Sequence, residues 1–296
     1  LTPPGQALVR PWTAFVARLS ITGLPVGHAM IGGSVLYLFM SGKDMGIAAE
    51  QLLNGMMGSQ LLLAIPLFIL AAEFMNAGAI MDRLLKFCNA FVGRFRGGLA
   101  QVNVVQSIIF SSMSGSALAD AAGSGKLMQT MMTRDGKYPP AYAAALTCVS
   151  SVIGPIIPPS IPLVLYALVS ETSVGHLFLG GVVPGLLLGV VQSMLIAFTA
   201  RRRGFPIEER VPLRDIPRIT WQAFPALMMP VILLGCLYSG VTTPTEAAAI
   251  AAFYALVISA FLYRSVSWKD VYNSLVTSSK VAVSLGMLIA AIAFTF

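Results

Sequence analysis

Four prolines fall within eight residues, at Pro155, Pro158, Pro159 and Pro162, in the middle of a long apolar run. Each removes a backbone donor and cannot continue a regular helix. A second interruption lies about 40 residues upstream, where SSMSGSALAD (111–120) sets a Ser- and Gly-rich turn inside another apolar run. The chain is 56% hydrophobic and only 10% charged, against about 25% charged residues in soluble domains. It therefore reads as a polytopic membrane protein, its apolar runs distributed from end to end. Hydrocarbon cannot satisfy free backbone groups, so non-helical backbone at membrane depth is tolerated only where it lines a cavity or is buried in protein. Two such breaks close together predict one polar site inside an all-α membrane domain.

Charge along the chain gives the topology. The excess of 19 Lys+Arg over 12 Asp+Glu fits basic residues gathered in cytoplasmic loops. Nucleic-acid binding is excluded: the longest basic run is Arg201–Arg203, and no aromatic platform accompanies it. Residues 1–20 form a basic, poorly apolar stretch with Arg10 and Arg18, and the first span is predicted at Ile21–Met40. The second is predicted at Ser59–Ile80 with Pro66 in its middle, followed by an amphipathic helix carrying Arg83, Lys86, Arg94 and Arg96 at the cytoplasmic surface. The run Leu99–Met132 has 34 residues, whereas two full crossings need roughly 40. Basic residues flank it on both sides, Arg94 and Arg96 before, Arg134 and Lys137 after. Both ends therefore lie on one side, and a re-entrant helical hairpin over about 99–133 satisfies length and charge together; two short full spans are the alternative.

A broken helix follows over about 138–168, then a span at Leu177–Ala200 ending at Arg201–Arg203. The basic, Pro-bearing stretch 205–218 divides a first repeat (21–204) from the start of a second (219–296). The second half crosses at Trp221–Leu237, Ala247–Tyr263 and Val276–Phe296. A further hairpin beyond Phe296 would enter from the opposite side, as an inverted-topology repeat requires.

At the hairpin tip, Ser111, Ser112, Ser114 and Ser116 supply hydroxyls, Gly115 permits close backbone approach, and Asp120 lies about one turn beyond. A second half-helix starting near Ser116 would direct its free N–H groups at the membrane centre, while the first ends there with free carbonyls suited to a hard cation such as Na+. The bland reading is a Ser/Gly packing surface with an N-cap, but a buried carboxylate needs a cation, a proton or donors. The proline-rich break makes the same argument: carbonyls around Ser150–Gly154 and a fresh helix start near Ser160. Thr243, Pro244 and Glu246 form a capping box with Pro at the first helical position, a structural rather than a functional motif. Gly181, Gly185 and Gly189 predict a close helix contact. Glu73 has two candidate partners, Asn76 and the interfacial basic residues. Cys88, Cys148 and Cys236 read as small packing residues.

An enzyme is excluded on residues. DAAGSGKL (120–127) has Asp120 where a P-loop needs its first Gly, and Leu127 where it needs Ser or Thr. No GxSxG or HExxH occurs, and the two histidines, His28 and His176, belong to opposite predicted surfaces.

The stretches LLAIPLFILAAEFMNAG (62–78), RGGLAQVNV (96–104), SSMSGSALADAA (111–122), SSVIGPIIPPSIPLVLY (150–166), GVVPGLLL (181–188), ARRRGFP (200–206) and SGVTTPTEAAAIAAFYAL (239–256) resemble the large membrane subunit of the tripartite ATP-independent periplasmic (TRAP) transporters. That resemblance implies an elevator-type, Na+-coupled importer of organic acids in the bacterial inner membrane. A periplasmic substrate-binding protein would deliver substrate, and a small four-helix membrane subunit, separate or fused, would buttress the large one. The family's Na+ site carries over to Ser112, Ser114, Ser116, Asp120, Ser150, Ser151 and Gly154, and its carboxylate site to Ser114, Gly115, Ser116, Pro159 and Ser160. The family also has a further N-terminal helix and, past the position of Phe296, a second hairpin and second broken helix, so half the binding site is expected outside this sequence. A channel-like pore and a non-transporting scaffold subunit are the alternative readings.

Overall fold

The computed structural model describes residues 18, 21, 23–24, 26–57, 60–76, 80–208 and 211–295. Most of the basic stretch 1–20 thus lies outside the described residues. The described chain is helical, with no strand, and forms two compact units, Leu1–Leu62 with Ser279–Phe296, and Leu63–Ser278.

The first unit contains α1 (Val26–Met40) and α2 (Gly46–Met57). Helix α1 is apolar on every side and leaves Tyr37, Phe39 and Met40 exposed, as a helix facing lipid must. Its turn into α2 uses Gly42 at φ 65°, and the Asp44 carboxylate accepts the Gly46 N–H at 2.9 Å, which fixes where α2 starts.

The second unit opens with α3 (Ala64–Asn76) and α4 (Ile80–Val92), which meet at 75°. In place of the straight span expected over 59–80, a 3-10 turn at Gln60–Leu63 leads into α3, which bends into α4, and Pro66 lies in the first turn of α3 rather than mid-span. No intrahelical donor is needed there, and the Pro66 carbonyl accepts the Ser278 hydroxyl at 2.7 Å. Helix α4 buries Met81, Leu84, Leu85 and Cys88 and leaves Asp82 and Lys86 exposed, as its amphipathic pattern predicts, while Arg83 is half-buried over the Tyr263 ring at 4.0 Å.

The region 98–133 is folded as α5 (Gly98–Ser114), α6 (Ala117–Ala122) and α7 (Ser124–Thr133). Its return arm is itself broken at Gly123 (φ −85°, ψ −91°), a second interruption at the Gly123-Ser124-Gly125 run, which is not among the expected breaks. Helices α8 (Pro140–Ser151) and α9 (Ile161–Ser170) flank the proline-rich turn. Then come α10 (Val174–Arg203), α11 (Ile216–Tyr238), α12 (Pro244–Val257) with a π-turn to Leu262, and α13 (Trp268–Thr295). Helix α10, α11 and α12 with its π-turn are each long and apolar enough to cross a membrane, and the bent pair α3–α4 makes a fourth candidate.

Small residues set the closest packing. Ala247, Ala248, Ala251, Ala252 and Ala255 line the buried face of α12, which packs against α3 more extensively than any other helix pair. The Ser259 hydroxyl locks that pair by donating to the Phe74 carbonyl at 3.0 Å. At the other end of the unit, the connector after α10 ties both ends of the hairpin region. Phe205 packs on Tyr138 and Tyr142 with ring centroids at 4.7 and 4.8 Å. Glu208 pairs with Lys137 at 2.9 Å while its N–H donates to the Gly93 carbonyl at 3.2 Å.

Candidate functional site

The two interruptions are interlocked. Helix α5 ends on Gly115, which has φ +61° and donates its N–H to the Ser111 carbonyl at 3.0 Å. A Cβ on Gly115 would lie 2.3 Å from the Pro159 carbonyl oxygen and 3.1 Å from Ser160 Cα. Only glycine combines that backbone with that approach. The relation is reciprocal, because a Cβ on Gly154 would lie 3.1 Å from Ala117 N and 3.2 Å from Ser116 C. Each turn thus presses its glycine against the other's backbone.

Both turns restart a helix in the same way. Ser116 is extended (φ −131°, ψ 120°), and its hydroxyl accepts the Ala119 N–H at 3.3 Å. Ser160 is extended (φ −127°, ψ 121°), and its hydroxyl accepts the Leu163 N–H at 3.3 Å while donating to the Pro155 carbonyl. These are the helix starts expected at Ser116 and Ser160. They are not equivalent as anion sites. Pro162 removes a donor from the first turn of α9, leaving Ile161 to offer a free N–H there, whereas Ala117 and Leu118 both retain theirs at the hairpin tip.

Behind the tip lies a buried polar seam. Asp120 is 1% exposed. One of its carboxylate oxygens accepts the Ser124 hydroxyl, and the other has no hydrogen-bond partner. The Ser111 hydroxyl is buried and equally unpartnered. Ser107 donates to the Ser150 hydroxyl at 3.2 Å, and Asn103 to the Thr147 hydroxyl at 3.1 Å, so α5 and α8 are stitched through polar side chains.

Among the residues singled out from sequence, the structure brings together Ser114, Gly115, Ser116, Gly154, Pro159 and Ser160 at the interlock, with Asp120 and Ser150 in the seam behind it. Ser112 and Ser151 turn away along their own helices, donating to the Ile109 carbonyl at 2.6 Å and the Cys148 carbonyl at 2.9 Å. The carbonyls of Ser150 and Ser151, expected free, each accept an N–H, from Ile153 at 3.1 Å and Gly154 at 2.9 Å. Sequence reasoning missed Asn103, Ser107, Ser124 and Thr147. A signal existed for part of this: Asn103, Ser107 and Ser111 recur every fourth residue on α5, a polar stripe along one face of the helix.

No group of three His, Cys, Asp or Glu side chains converges among the described residues. A cation held here would rest on one carboxylate with hydroxyl and carbonyl oxygens, a donor set for hard ions. The unpartnered oxygens of Asp120 and Ser111 fit that requirement.

The remaining motifs resolve into packing and capping. Gly181, Gly185 and Gly189 do make a close contact, but largely with the proline-rich turn. Cβ atoms there would lie 2.3 Å from the Ile156 carbonyl oxygen, 2.3 Å from Ile157 Cγ1 and 2.5 Å from Ile108 Cδ1. Helix α10 is thus a backing plate for the interlock. The capping box at Thr243 is present and exposed: the Thr243 N–H donates to Glu246 at 2.7 Å, and the Glu246 N–H to the Thr243 hydroxyl at 3.3 Å. Glu73 is half-buried and shares a cavity of about 500 Å³ with Asn76, Asp82, Gly123 and Leu127; no ion pair reaches it among the described residues. The three cysteines are free thiols. Cys88 is buried as expected, Cys236 is partly buried and Cys148 is exposed.

Residues 13–295 match the family described as the tripartite ATP-independent periplasmic transporter, DctM component. The sialic acid TRAP transporter large permease protein SiaM of Vibrio cholerae is 40% identical over 250 residues, covering 84% of this chain and 58% of the relative. The C4-dicarboxylate TRAP transporter large permease protein DctM of Pseudomonas aeruginosa is 43% identical over 229 residues, covering 77% and 53%. The 2,3-diketo-L-gulonate TRAP transporter large permease protein YiaN of Escherichia coli is 37% identical over 273 residues, covering 90% and 63%. The chain spans between half and two thirds of the length of these relatives.

Proposed function

Because the chain belongs to the DctM-component family of tripartite ATP-independent periplasmic transporters, we propose that it forms part of the large membrane subunit of a Na+-driven importer of an organic acid. The observation that carries this reading is the interlock of two helix breaks over a buried carboxylate that has one oxygen unpartnered. Irregular backbone of this kind belongs at a membrane protein's cargo site.

In this proposal Na+ is co-transported cargo. Asp120 supplies the charge. The Ser111, Ser114 and Ser116 hydroxyl oxygens complete the donor set, with the second lone pairs of the Ser150 and Ser151 carbonyls, whose first ones accept N–H groups of the turn. Substrate carboxylate meets the tip, Ser114–Ser116, and the start of α9 at Pro159–Ser160. Free N–H groups and the positive end of a helix favour an anion there, and the tip offers more donors than the Pro162-depleted start of α9. The relatives are named for sialic acid, a C4-dicarboxylate and 2,3-diketo-L-gulonate. Each is an organic acid, which supports a carboxylate as the recognised group. In the whole assembly a periplasmic binding protein delivers that acid. A small membrane subunit braces the large one in the bacterial inner membrane, and the interlocked breaks move as one body against the remaining spans in an elevator-type cycle.

The test is uptake by proteoliposomes holding the complete transporter, with and without an inward Na+ gradient. Asp120→Asn keeps the size of the side chain and removes its charge. Na+ stimulation should be abolished while the complex still purifies intact. Undiminished Na+ activation in this variant would overturn the assignment, and non-saturating uptake that needs neither a gradient nor the delivery protein would favour a pore.

A further inference from the structure

We propose that the basic end of the second unit, where α10 stops, is a binding surface for an anionic phospholipid carrying two phosphates. Five arginines meet there from two stretches of chain. Arg201, Arg202 and Arg203 close α10, and Arg94 and Arg96 stand in the turn between α4 and α5. Gly97 makes the two groups neighbours: a Cβ there would lie 2.9 Å from Ile196 Cγ2 and 3.1 Å from Ala200 Cβ. The Glu208 N–H bond to the Gly93 carbonyl holds the connector to the same turn.

All five arginines are exposed. The ion pairs among the described residues, Arg134–Asp135 and Lys137–Glu208, involve none of them. Three lie over aromatic rings instead: Arg94 over Phe95 at 5.4 Å, Arg202 over Phe198 at 4.4 Å, and Arg203 over Tyr142 at 5.9 Å. A guanidinium held by its face keeps its N–H edge free, and that edge matches a phosphate bidentately.

The surroundings select a lipid over a soluble anion. Phe91, Phe95 and Phe198 are 44%, 51% and 55% exposed, an apolar surface beside the charges that acyl chains would cover and a soluble anion would not. Helix α10 has 30 residues and is about 45 Å long, longer than the roughly 30 Å hydrocarbon core, so its last turn reaches headgroup level. The helix dipole accounts for cations at the end of α10, but not for Arg94 and Arg96 on another element. Two arginine groups side by side fit two phosphates on one lipid.

This surface depends on the membrane reading and not on the transport reading, so it is tested by binding without uptake. The complete complex, purified in detergent, is mixed with cardiolipin, phosphatidylglycerol or phosphatidylcholine, and retained lipid is counted by native mass spectrometry. Cardiolipin should be retained best and phosphatidylcholine least. Substituting Arg201, Arg202 and Arg203 together by Gln, or Arg94 and Arg96 together, should lower cardiolipin retention roughly tenfold or more, with Lys269→Gln as an unaffected control. The triple Arg→Lys variant keeps fold and charge and loses only the planar fork; intermediate retention supports the arginine site, and wild-type retention overturns it. Equal retention of phosphatidylcholine, or complete displacement of cardiolipin by millimolar inorganic phosphate, also overturns it.

Discussion

Two regions of this molecule start helices by the same local device and put it to different use. At 115–116 and 152–160, Ser116 and Ser160 cap α6 and α9 with their hydroxyls. At 243–246, Thr243 caps α12 with the same N–H three residues on, and Glu246 completes the box. By capping chemistry alone the second region is the better formed. Yet Thr243 and Glu246 are exposed and bond chiefly to each other, whereas each serine cap belongs to a turn pressed against the other's backbone. Cap quality reports where a helix begins. It is the meeting of two interrupted helices around a buried charge that singles out the proposed site.

The strongest way to break this contrast is Gly115→Ala. A side chain in the left-handed region costs about 1–3 kcal/mol, and this one would also meet the Pro159 carbonyl at 2.3 Å. Uptake by reconstituted transporter should fall to background while the protein still elutes as an intact complex; wild-type uptake would show that the two turns need not touch.

A middle-sized effect is expected from Ser124→Ala, which leaves both Asp120 carboxylate oxygens without the hydroxyl donor that one of them now has. Losing a buried donor costs about 1–3 kcal/mol, to be read as a raised Na+ concentration for half-maximal uptake together with a lower melting temperature. A melting shift alone would make the seam structural.

The smallest change belongs to Thr243→Ala. Loss of one N-cap hydroxyl is worth about 1 kcal/mol, visible in thermal unfolding, with Na+ dependence and maximal uptake unchanged. Should this variant disturb Na+ dependence more than Ser124→Ala does, the contrast fails.

Much of this was legible in sequence because glycine, proline and serine act over a few residues. The breaks, the helix starts at Ser116 and Ser160 and the box at Thr243 follow from local chemistry. What stayed hidden depends on which distant residues meet. Gly123-Ser124-Gly125 is a local breaker signal, but the apolar run on either side gives no sign that the return arm resumes as a separate helix there. Nothing in the stripe of Gly181, Gly185 and Gly189 says that its partners are the Ile156 carbonyl and the Ile157 side chain of a turn, with Ile108 of α5 beyond. The direction of a hydroxyl is also a tertiary matter: Ser112 and Ser151 sit in the right motifs but bond back along their own helices. Ser107, read only as part of an apolar run, instead bridges two of the helices.

The seam also bears on how the protein is made. Ser107 bonds to Ser150, which lies 43 residues later in the chain, and at about 5–20 residues per second synthesis of that interval takes roughly 2–9 s. Throughout it the polar side of α5 has no α8 to face, and hydrocarbon is a poor host for unpaired amides and hydroxyls. We expect the hairpin to wait outside the bilayer core, at the insertion machinery or the interface, until α8 emerges. The order of biogenesis would then be written into the side chains that later hold the two helices together.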